Sequence, residues 1–365
     1  MKTALVYDRI NKWGGAERVL LALHELFPKA PLFTSVYNPK TSPWAKVFTI
    51  KTSFLERFPS ASSSHELYPL LMPITFESFS FDEYDVVISV TSEAAKGIIT
   101  KPHTLHVCYC LTPTRYLWSA RNEYFRSPFF RFITDPAVSY LRRWDQVASQ
   151  RPDAYIAISQ EVRKRIKKYY KKDALVIYPP VTLGSGFELD RKNNGNYFLV
   201  VSRLVPYKRV DIAIAACNQL KFPLVVIGSG SEEQGLRRMA GSTVTFLGNL
   251  TDRELVEYYK GCSALIFPGN EDFGLTILEA QQFGKPVIAL REAGALESIL
   301  EGKTGEFFFP KSIEGLLKVL QRFDKTKYRQ TDCIEQAKKF SKKQFQKHFL
   351  ETIEKLFVEH KKRIV

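Results

Sequence analysis

Short apolar segments alternate with segments of helical periodicity along almost the whole chain. After the first apolar run, apolar residues recur at the spacing of an amphipathic helix, at Val19, Leu20, Leu23, Leu26 and Phe27. Strands followed by helices predict the α/β class with parallel sheets, and the later strands are apolar on both faces, as buried parallel strands are. The predicted strands read TALVY, DVVISV, LHVCYC, AYIAIS and LVIYPPV in the first half and YFLVVS, FPLVVIG, TVTFLG, ALIFPG and KPVIAL in the second.

One stretch interrupts this alternation. The segment TLGSGFELDRKNNGN is rich in glycine and asparagine and carries little apolar pattern, which is typical of a linker. A chain of 365 residues is also long for one core, so two domains are expected. We predict two Rossmann-like, doubly wound domains facing a cleft, with ligands outside the carboxyl ends of the strands. The predicted divisions are 1–182 and 197–340 for the domains, 183–196 for the linker and 341–365 for a separate amphipathic helix.

Composition excludes several classes of protein. Hydrophobic residues make up 45% of the chain, which argues against disorder. The sequence has neither a run of about eighteen apolar residues nor an apolar N-terminal segment, so we expect a cytoplasmic protein that neither spans a membrane nor is secreted. The five cysteines are odd in number and lack Cys-x-x-Cys spacing, so buried free thiols are predicted rather than disulfides or metal ligands.

The formal net charge of +15 is unevenly distributed. Between Arg115 and Lys172 there are 14 Lys or Arg residues against 5 Asp or Glu residues, together with many aromatic residues. Basic and aromatic residues in one segment suit an anionic membrane surface, and they also suit single-stranded nucleic acid. A solvated basic face over ordinary core aromatics is the third interpretation.

Two loops after predicted strands carry groups suited to anions. Gly14 and Gly15 stand at a helix start, where free amides and the helix dipole favour a bound anion, although such a pair is often only a turn. Arg203 and Lys208 follow the first strand of the second half, and two cations there can neutralise a diphosphate without a metal. An incidentally charged surface loop is the alternative.

The segment VVIGSGSEEQG only partly matches the dinucleotide-binding fingerprint. Gly228 and Gly230 fit the first two glycine positions, but Glu233 stands at the third. The segment also lies outside the chain's first strand–helix unit. We therefore reject dinucleotide binding and interpret this segment as a tight turn near a ligand.

The segment FPGNEDFGLTILEAQQFGKPVIAL places two carboxylates on either side of a helix start. Gly269, Phe273 and Gly274 form a loop leading into a helix whose free amides suit a phosphate. Glu279 falls on the second turn, where a carboxylate can accept hydrogen bonds from vicinal ribose hydroxyls. Glu271 precedes the helix and would contact another group of the same ligand, so the order suits a nucleotide sugar. The alternative is that Glu279 is an exposed helix charge and Glu271 a loop charge.

These motifs resemble those of the retaining glycosyltransferases of family 4. The segment EDFGLTILEA is similar to the E-x7-E signature, and GGAERV, SRLVPYKRVD and IYPPV resemble its companions in their usual order. The resemblance covers essentially the whole chain. It implies the GT-B fold, with the first domain, 1–182, on the acceptor side and a C-terminal helix crossing back to that domain. It also implies a nucleotide-sugar donor bound mainly by the second domain without a metal, and the sequence contains no Asp-x-Asp.

The resemblance assigns roles to individual residues. Arg203 and Lys208 match the diphosphate-binding pair, Glu279 the ribose ligand, and Glu271 the acidic residue at the donor sugar. The catalytic set is therefore Arg203, Lys208 and Glu271. The remaining donor-binding positions are Gly15 beside the phosphate, Gly248 and Leu250 beside the base, and Phe273, Gly274 and Leu275 in the loop whose amides hold sugar and phosphate.

One position departs from the family pattern. Relatives resembling YCLTPTRYLW often have histidine where this chain has Leu111, near the donor sugar. His103 and His106 lie upstream, and both are interpreted as core or loop histidines rather than replacements.

The resemblance implies a retaining, metal-independent hexosyltransferase acting on a glycan or polyprenyl-diphosphate-linked acceptor, as in bacterial surface polysaccharide assembly. It favours GDP-mannose as the donor, and the expected location is cytoplasmic or peripheral on an anionic membrane face. No cofactor, metal or nucleic-acid partner is expected. The alternatives are another GT-B enzyme such as a nucleotide-sugar epimerase, a nucleic-acid-binding protein, and a non-catalytic homologue that binds sugar nucleotides.

Overall fold

The computed structural model describes residues 1–119, 121, 127–183 and 195–364. The chain forms two compact units, Met1–Pro180 with the chain from Lys343 onward, and Val181–Lys342. Residues 184–194 of the predicted linker lie outside the described residues. Each unit is an α/β domain built on a parallel sheet, so the predicted fold class is confirmed.

The first unit contains a parallel sheet in the order β3-β2-β1-β4-β5-β6-β7. The central strands are buried along their whole length, as the apolar runs predict. The neighbours β1 and β4 form the switch point, from which successive connections run outward in opposite directions. The strands are β1 Thr3–Tyr7, β2 Leu32–Thr34, β3 Ile50–Thr52, β4 Val86–Thr91, β5 Leu105–Cys110, β6 Ala154–Ala157 and β7 Leu175–Val176.

The helices of this unit follow its strands. The Ser159 hydroxyl accepts a hydrogen bond from the Val162 amide at 3.0 Å and caps the basic helix, as the sequence predicts. The helices in the described part of this unit before its C-terminal segment are α1 Gly15–Leu26, α2 Met72–Glu77, α3 Pro128–Ala148 and α4 Gln160–Tyr170.

The second unit repeats the topology with a parallel sheet in the order β10-β9-β8-β11-β12-β13. Its switch point lies between β8 and β11. One apolar core packs on each side of the sheet, because strand residues alternate between the two faces. The strands are β8 Phe198–Val201, β9 Leu224–Ile227, β10 Val244–Leu247, β11 Ala264–Phe267, β12 Val287–Leu290 and β13 Gly305–Phe308.

Helices of the second unit cover both faces of this sheet. The side chain of Thr251 and that of Glu254 form a capping box at the start of one of them. The α-helices in the described part of this unit are α5 Val210–Leu220, α6 Glu233–Met239, α7 Asp252–Gly261, α8 Leu275–Gln282, α9 Ala295–Ser298, α10 Ile313–Arg322 and α11 Gln330–Lys338.

The last helix, α12 Lys342–Ile364, returns to the first unit. Phe345 and Phe349 are buried, and their rings lie 5.9 and 5.7 Å from the ring of Tyr109 in β5. The Gln346 side-chain amide donates to the Ala22 carbonyl of α1 at 3.1 Å. The predicted return of this helix to the first domain is confirmed. Within the described residues, no helix combines the length and apolarity that crossing a bilayer requires.

The five cysteines are all buried and free, so that prediction is confirmed. Burial raises the pKa of the Cys217, Cys262 and Cys333 thiols to about 12, because a thiolate loses its hydration in the core. These thiols are therefore packing groups and stay protonated near neutral pH.

His106 makes the stability of the first unit sensitive to acid. Burial first, and then the charge of Arg151, lower its pKa to about 3 from an ordinary value of 6.5. The folded protein therefore holds a neutral imidazole that protonates freely once unfolded, and stability falls as the pH drops below about 6.5. From pH 7.5 to 5.5 we expect a loss of about 1.4 kcal/mol from this group.

The measurement is urea unfolding of wild type and His106→Gln at both pH values. The variant lacks this titration, so its stability should fall by about 1.4 kcal/mol less than that of the wild type. Equal losses in the two proteins would mean that His106 titrates normally.

Candidate functional site

The loops that follow β8 and β11 meet at the switch point of the second sheet. Gly269, in the loop after β11, packs against the backbone of Lys208, in the loop after β8. A Cβ atom at Gly269 would lie 2.8 Å from both the Lys208 Cα and its carbonyl oxygen. Only glycine fits this approach without movement of the backbone. The contact sets the separation of the two loops, one of which carries Lys208 and the other Glu271.

Lys208 and Glu271 form an ion pair across this switch point. Lys208 ends a short 3-10 helix at Pro206–Lys208, and its side chain is 9% exposed, against 23% for that of Glu271. The sequence predicts both residues at the site but gives no indication that they touch. A pair this sheltered is costly to break from one side, because the remaining charge loses its partner.

Tyr207 connects the two predicted cations. Its hydroxyl accepts a hydrogen bond from Arg203 Nη2 at 2.6 Å, and its ring lies 5.3 Å below the Lys208 ammonium. Arg203 itself is exposed. The sequence reasoning missed Tyr207, although its position directly before Lys208 in a loop of cations could have indicated it.

Glu279 is a buried carboxylate on the second turn of α8. It is 7% exposed, and its Oε2 accepts a hydrogen bond from the Tyr259 hydroxyl of α7 at 2.7 Å. The alternative that Glu279 is an exposed helix charge is therefore wrong. Tyr259 is a second residue that the sequence reasoning missed, because nothing in its own helix pattern distinguishes it from a core tyrosine.

The loop into α8 has the backbone geometry that an anion site requires. Gly274 precedes the helix with φ of +87°, a left-handed conformation that favours glycine, and among the described residues no side chain caps the helix there. Phe273 is 3% exposed, and a Cβ at Gly294 would lie 2.3 Å from its Cα, so the two backbones are in close contact. Leu275 begins the helix, and the amide of Ile277 in its first turn donates to the Gly274 carbonyl at 3.1 Å.

Gly248 and Leu250 follow β10, which is an edge strand. β9 lies between β10 and β8, the strand at the switch point. Gly248 is exposed, and no atom of the described residues lies within 4 Å of where its Cβ would be. Leu250 is partly buried and packs against one of the two cores. The structure thus places them at the same edge of the sheet as Lys208, farther out along it.

Gly228 and Gly230, the glycines of the rejected dinucleotide motif, also allow two backbone segments to pack closely. A Cβ at Gly228, whose φ is +130°, would lie 2.0 Å from the Ser202 carbonyl oxygen, and one at Gly230 would lie 2.3 Å from that of Leu204. The loop after β9 therefore packs directly on the loop after β8. This agrees with the interpretation as a tight turn.

Gly15 lies in the first unit, unlike the other predicted site residues, and is the first residue of α1. The Glu17 carboxylate in the first turn is buried and accepts a hydrogen bond from the Tyr7 hydroxyl at 2.6 Å. A Cβ at Gly14 would lie 3.2 Å from a Glu17 oxygen, so the carboxylate lies against this helix start.

Leu111 directly follows β5, and its amide donates to the Thr91 carbonyl at 2.8 Å. His106 lies deep in the same strand, where its Nε2 is 2.8 Å from the Ser89 hydroxyl. His103 is exposed, with its Nε2 3.2 Å from the Asp82 carbonyl. Neither histidine takes the place of Leu111 after the strand.

Residues 185–340, which make up most of the second unit, match the family model of the glycosyl transferases group 1. The chain is 29% identical over 208 residues to an uncharacterized glycosyltransferase of Methanocaldococcus jannaschii, covering 55% of this chain and 58% of the relative. It is also 29% identical over 165 residues to the O-antigen chain mannosyltransferase C of Escherichia coli, covering 41% of this chain and 43% of that one. The matched region thus spans about half the length of these relatives.

A solved structure supports the fold over nearly the whole chain. Anabaena HepE in complex with UDP superposes with a TM-score of 0.69 at 19% identity, covering 97% of this chain and all of that one. At this level of identity the similarity shows the GT-B fold alone.

Proposed function

We propose that this chain is a retaining, metal-independent hexosyltransferase that uses a nucleoside-diphosphate sugar. The observation that carries the proposal is the arrangement at one edge of the second unit. There the Lys208–Glu271 pair crosses the switch point, and the buried Glu279 lies on the helix that follows the same loop. Crevices at switch points are where doubly wound sheets bind nucleotides.

In this proposal each group of the donor has its own partner. Glu279, held by Tyr259, binds the ribose hydroxyls, and the amides from Phe273 to Leu275 hold sugar and phosphate. Arg203 and Lys208 neutralise the diphosphate, and Gly248 and Leu250 line the base.

The chemistry is dominated by charge that develops on the departing diphosphate. Lys208 and Arg203 stabilise this charge, and Tyr207 orients both cations before the reaction begins. An acceptor hydroxyl attacks from the face that the diphosphate leaves, and a donor phosphate oxygen accepts its proton. The proton therefore needs no side-chain base, which is consistent with leucine at position 111.

A thermal-shift screen with nucleotide sugars tests the donor. GDP-mannose is favoured, and the similarity to a mannosyltransferase supports that choice. A ligand present at 100 times its dissociation constant stabilises by about 2.7 kcal/mol, so the matching donor should stand out from the panel. Binding and turnover should persist in excess chelator. Complete loss of turnover with chelator would contradict the metal-independent mechanism, and no stabilisation by any nucleotide sugar would contradict the proposal itself.

We also propose that the acceptor is a glycan, free or linked to a polyprenyl diphosphate, and that the enzyme works at the cytoplasmic face of a membrane. Helix α3 supports this with an exposed apolar face, on which Phe132 is 78% and Val147 60% exposed, with Ile133 and Tyr140 between them. These positions recur at helical spacing, so they lie on one side of the helix.

The neighbouring helix α4 supplies positive charge. Trp118 joins the two helices, because its ring stacks on Tyr169 of α4 at 5.2 Å while Arg142 of α3 lies 5.8 Å from its centre. An apolar face beside a basic one suits the surface of an anionic bilayer. The exposed basic residues of α4 are Arg163, Lys164, Lys167 and Lys168.

Phe132→Glu should weaken binding to vesicles containing anionic phospholipid by about tenfold, because the largest exposed apolar group of α3 is lost. Leu67→Glu is the control, since Leu67 is 68% exposed elsewhere in the first unit. Co-sedimentation at low salt measures both. No binding of the wild type, or equal loss in both variants, would contradict a membrane role for α3.

A further inference from the structure

A chain of polar contacts continues from the Lys208–Glu271 pair along the carboxyl edge of the second sheet. The Asn270 side-chain amide, in the loop after β11, donates to Oε2 of Glu292, in the loop after β12, at 2.9 Å. The same oxygen of Glu292 lies 3.8 Å from Nζ of Lys311, which follows β13. Because Asn270 directly precedes Glu271, these contacts join residues from the loops after four adjacent strands, β8, β11, β12 and β13.

The main chains of the loops after β11 and β12 are also joined. The Gly294 amide donates to the Glu271 carbonyl at 3.1 Å, and a Cβ at Gly294 would lie 2.6 Å from both the nitrogen and the carbonyl oxygen of Phe273. Only glycine permits this approach without a shift of the backbone. The loop after β12 therefore supports the segment around Glu271 through a side chain on one side and through the main chain on the other.

A strained residue lies between these two contacts. Ala293, which stands between Glu292 and Gly294, has φ of +48°, a left-handed conformation that is uncommon for residues other than glycine. Such a conformation persists only where the surrounding structure imposes it, and it is concentrated at active sites and ligand clamps. The main chain here is thus fixed in an arrangement that brings Glu292 to Asn270.

The Asn270–Glu292 hydrogen bond sets the orientation of the amide. A carboxylate only accepts hydrogen bonds, so the NH₂ group of Asn270 faces Glu292 and its Oδ1 atom is directed away from that contact. A hydrogen bond to a charged group is about twice as strong as a neutral one. The side chain of Glu292 is 33% exposed, so this bond is partly sheltered from water. Its loss would release the side chain next to Glu271.

We propose that Glu292 is a positioning residue for recognition of the donor sugar. Acting through Asn270, it holds the Glu271 carboxylate where that group meets the sugar of the bound donor. The inference rests on the proposed function, which assigns Glu271 to the donor sugar, and it deepens that function by naming the residue that fixes Glu271 in place.

Recognition of the nucleotide depends on a different contact. Glu279, the proposed ribose ligand, accepts its hydrogen bond from Tyr259 of α7. Removing the Glu292 carboxylate should therefore weaken binding of a nucleotide sugar without weakening binding of the free nucleoside diphosphate.

Isothermal calorimetry with the whole chain tests this role. The ligands are UDP-glucose with UDP and GDP-mannose with GDP, titrated into wild type, Glu292→Ala, Glu292→Gln and Glu306→Ala. Glutamine keeps an oxygen that accepts from Asn270 but carries no charge. Glu306 is the matched control, because it also accepts from a neutral group, the Tyr328 hydroxyl at 2.7 Å, and lies 3.4 Å from a cation, Arg322.

Glu292→Ala should bind the nucleotide sugar about tenfold more weakly than wild type, with affinity for the nucleoside diphosphate within about twofold. Glu292→Gln should recover most of this loss, and Glu306→Ala should match wild type. In a Glu271→Gln background, Glu292→Ala should have less than about a twofold further effect, because it acts through Glu271. Unchanged nucleoside-diphosphate binding also shows that the variants are folded.

Three results would overturn the positioning role. They are equal nucleotide-sugar affinities in Glu292→Ala and wild type, the same loss in both Glu271 backgrounds, and a wild type that binds UDP or GDP but neither nucleotide sugar. A residue with a merely structural role would lower the affinity by the same factor in both backgrounds. Failure of wild type to bind any of the four ligands would instead overturn the proposed function.

Discussion

Lys208→Ala should lower kcat by about 10²–10³-fold in steady-state transfer assays. Losing one preorganised group that stabilises developing charge typically has an effect of this size. The Lys208 side chain is 9% exposed, and its ammonium group already contacts Glu271 and the Tyr207 ring, so little reorganisation is needed during the reaction. The effect on kcat should exceed that on KM, because the charge on the diphosphate grows towards the transition state.

Lys260→Ala is the matched control for this experiment. Lys260 also forms an ion pair with a glutamate, Glu257, at 3.3 Å, and its side chain is 11% exposed. It lies on α7, outside the loops at the switch point. Thermal melting of both variants separates a loss of folding from a loss of catalysis. Equal kcat values in Lys208→Ala and wild type would show that the Lys208–Glu271 pair is only structural.

Glu279→Gln should weaken binding of nucleoside diphosphate and nucleotide sugar alike, by about 10- to 100-fold. Hydrogen bonds to a charged group contribute about 1.5–3 kcal/mol, and the ribose does not change during the reaction. The lost contact is equally strong in the ground state and in the transition state, so its removal raises KM and leaves kcat nearly unchanged. Glutamine keeps an acceptor for Tyr259, so the fold should tolerate the change. Calorimetry with the free nucleotide measures the affinity directly.

Glu271→Gln provides the contrast on the same segment. Its partner is Lys208, so neutralising Glu271 removes a carboxylate that competes with a diphosphate for this ammonium, and free-nucleotide affinity should be kept or increased. Transfer should slow, because Glu271 is assigned to the donor sugar, where bonds change. If Glu271→Gln lost nucleotide affinity while Glu279→Gln kept it, the two roles would be reversed. If neither variant changed binding or rate, both would be ordinary charges.

The sequence predicts the architecture because strand and helix patterns are local properties. The runs TALVY and LHVCYC coincide with β1 and β5, and the amphipathic C-terminal pattern coincides with α12. The strands β2 and β3 were not predicted, because each has only three residues and shows no clear period. β13 was also missed, although the run GEFFF that contains it is apolar enough to indicate a strand.

The site was predicted less completely, because its contacts join distant parts of the chain. The sequence predicts Lys208, Glu271 and Glu279, because each is a charged residue shortly after a predicted strand or at a predicted helix start. Their partners Tyr207 and Tyr259 were not predicted, since a tyrosine shows its hydrogen bond only after the fold brings its partner to it. The Asn270–Glu292 hydrogen bond was missed for the same reason, because the loops after two separate strands bring it together.

The most direct test follows sugar transfer by NMR. The donor selected by the thermal-shift screen is incubated in chelator with a lipid-linked or free glycan acceptor, and the anomeric signals of donor and product are followed. The proposed function predicts acceptor-dependent release of nucleoside diphosphate and a new glycosidic linkage with the anomeric configuration of the donor. An inverted product would contradict retention, and a donor that binds but never transfers would identify a non-catalytic nucleotide-sugar-binding protein.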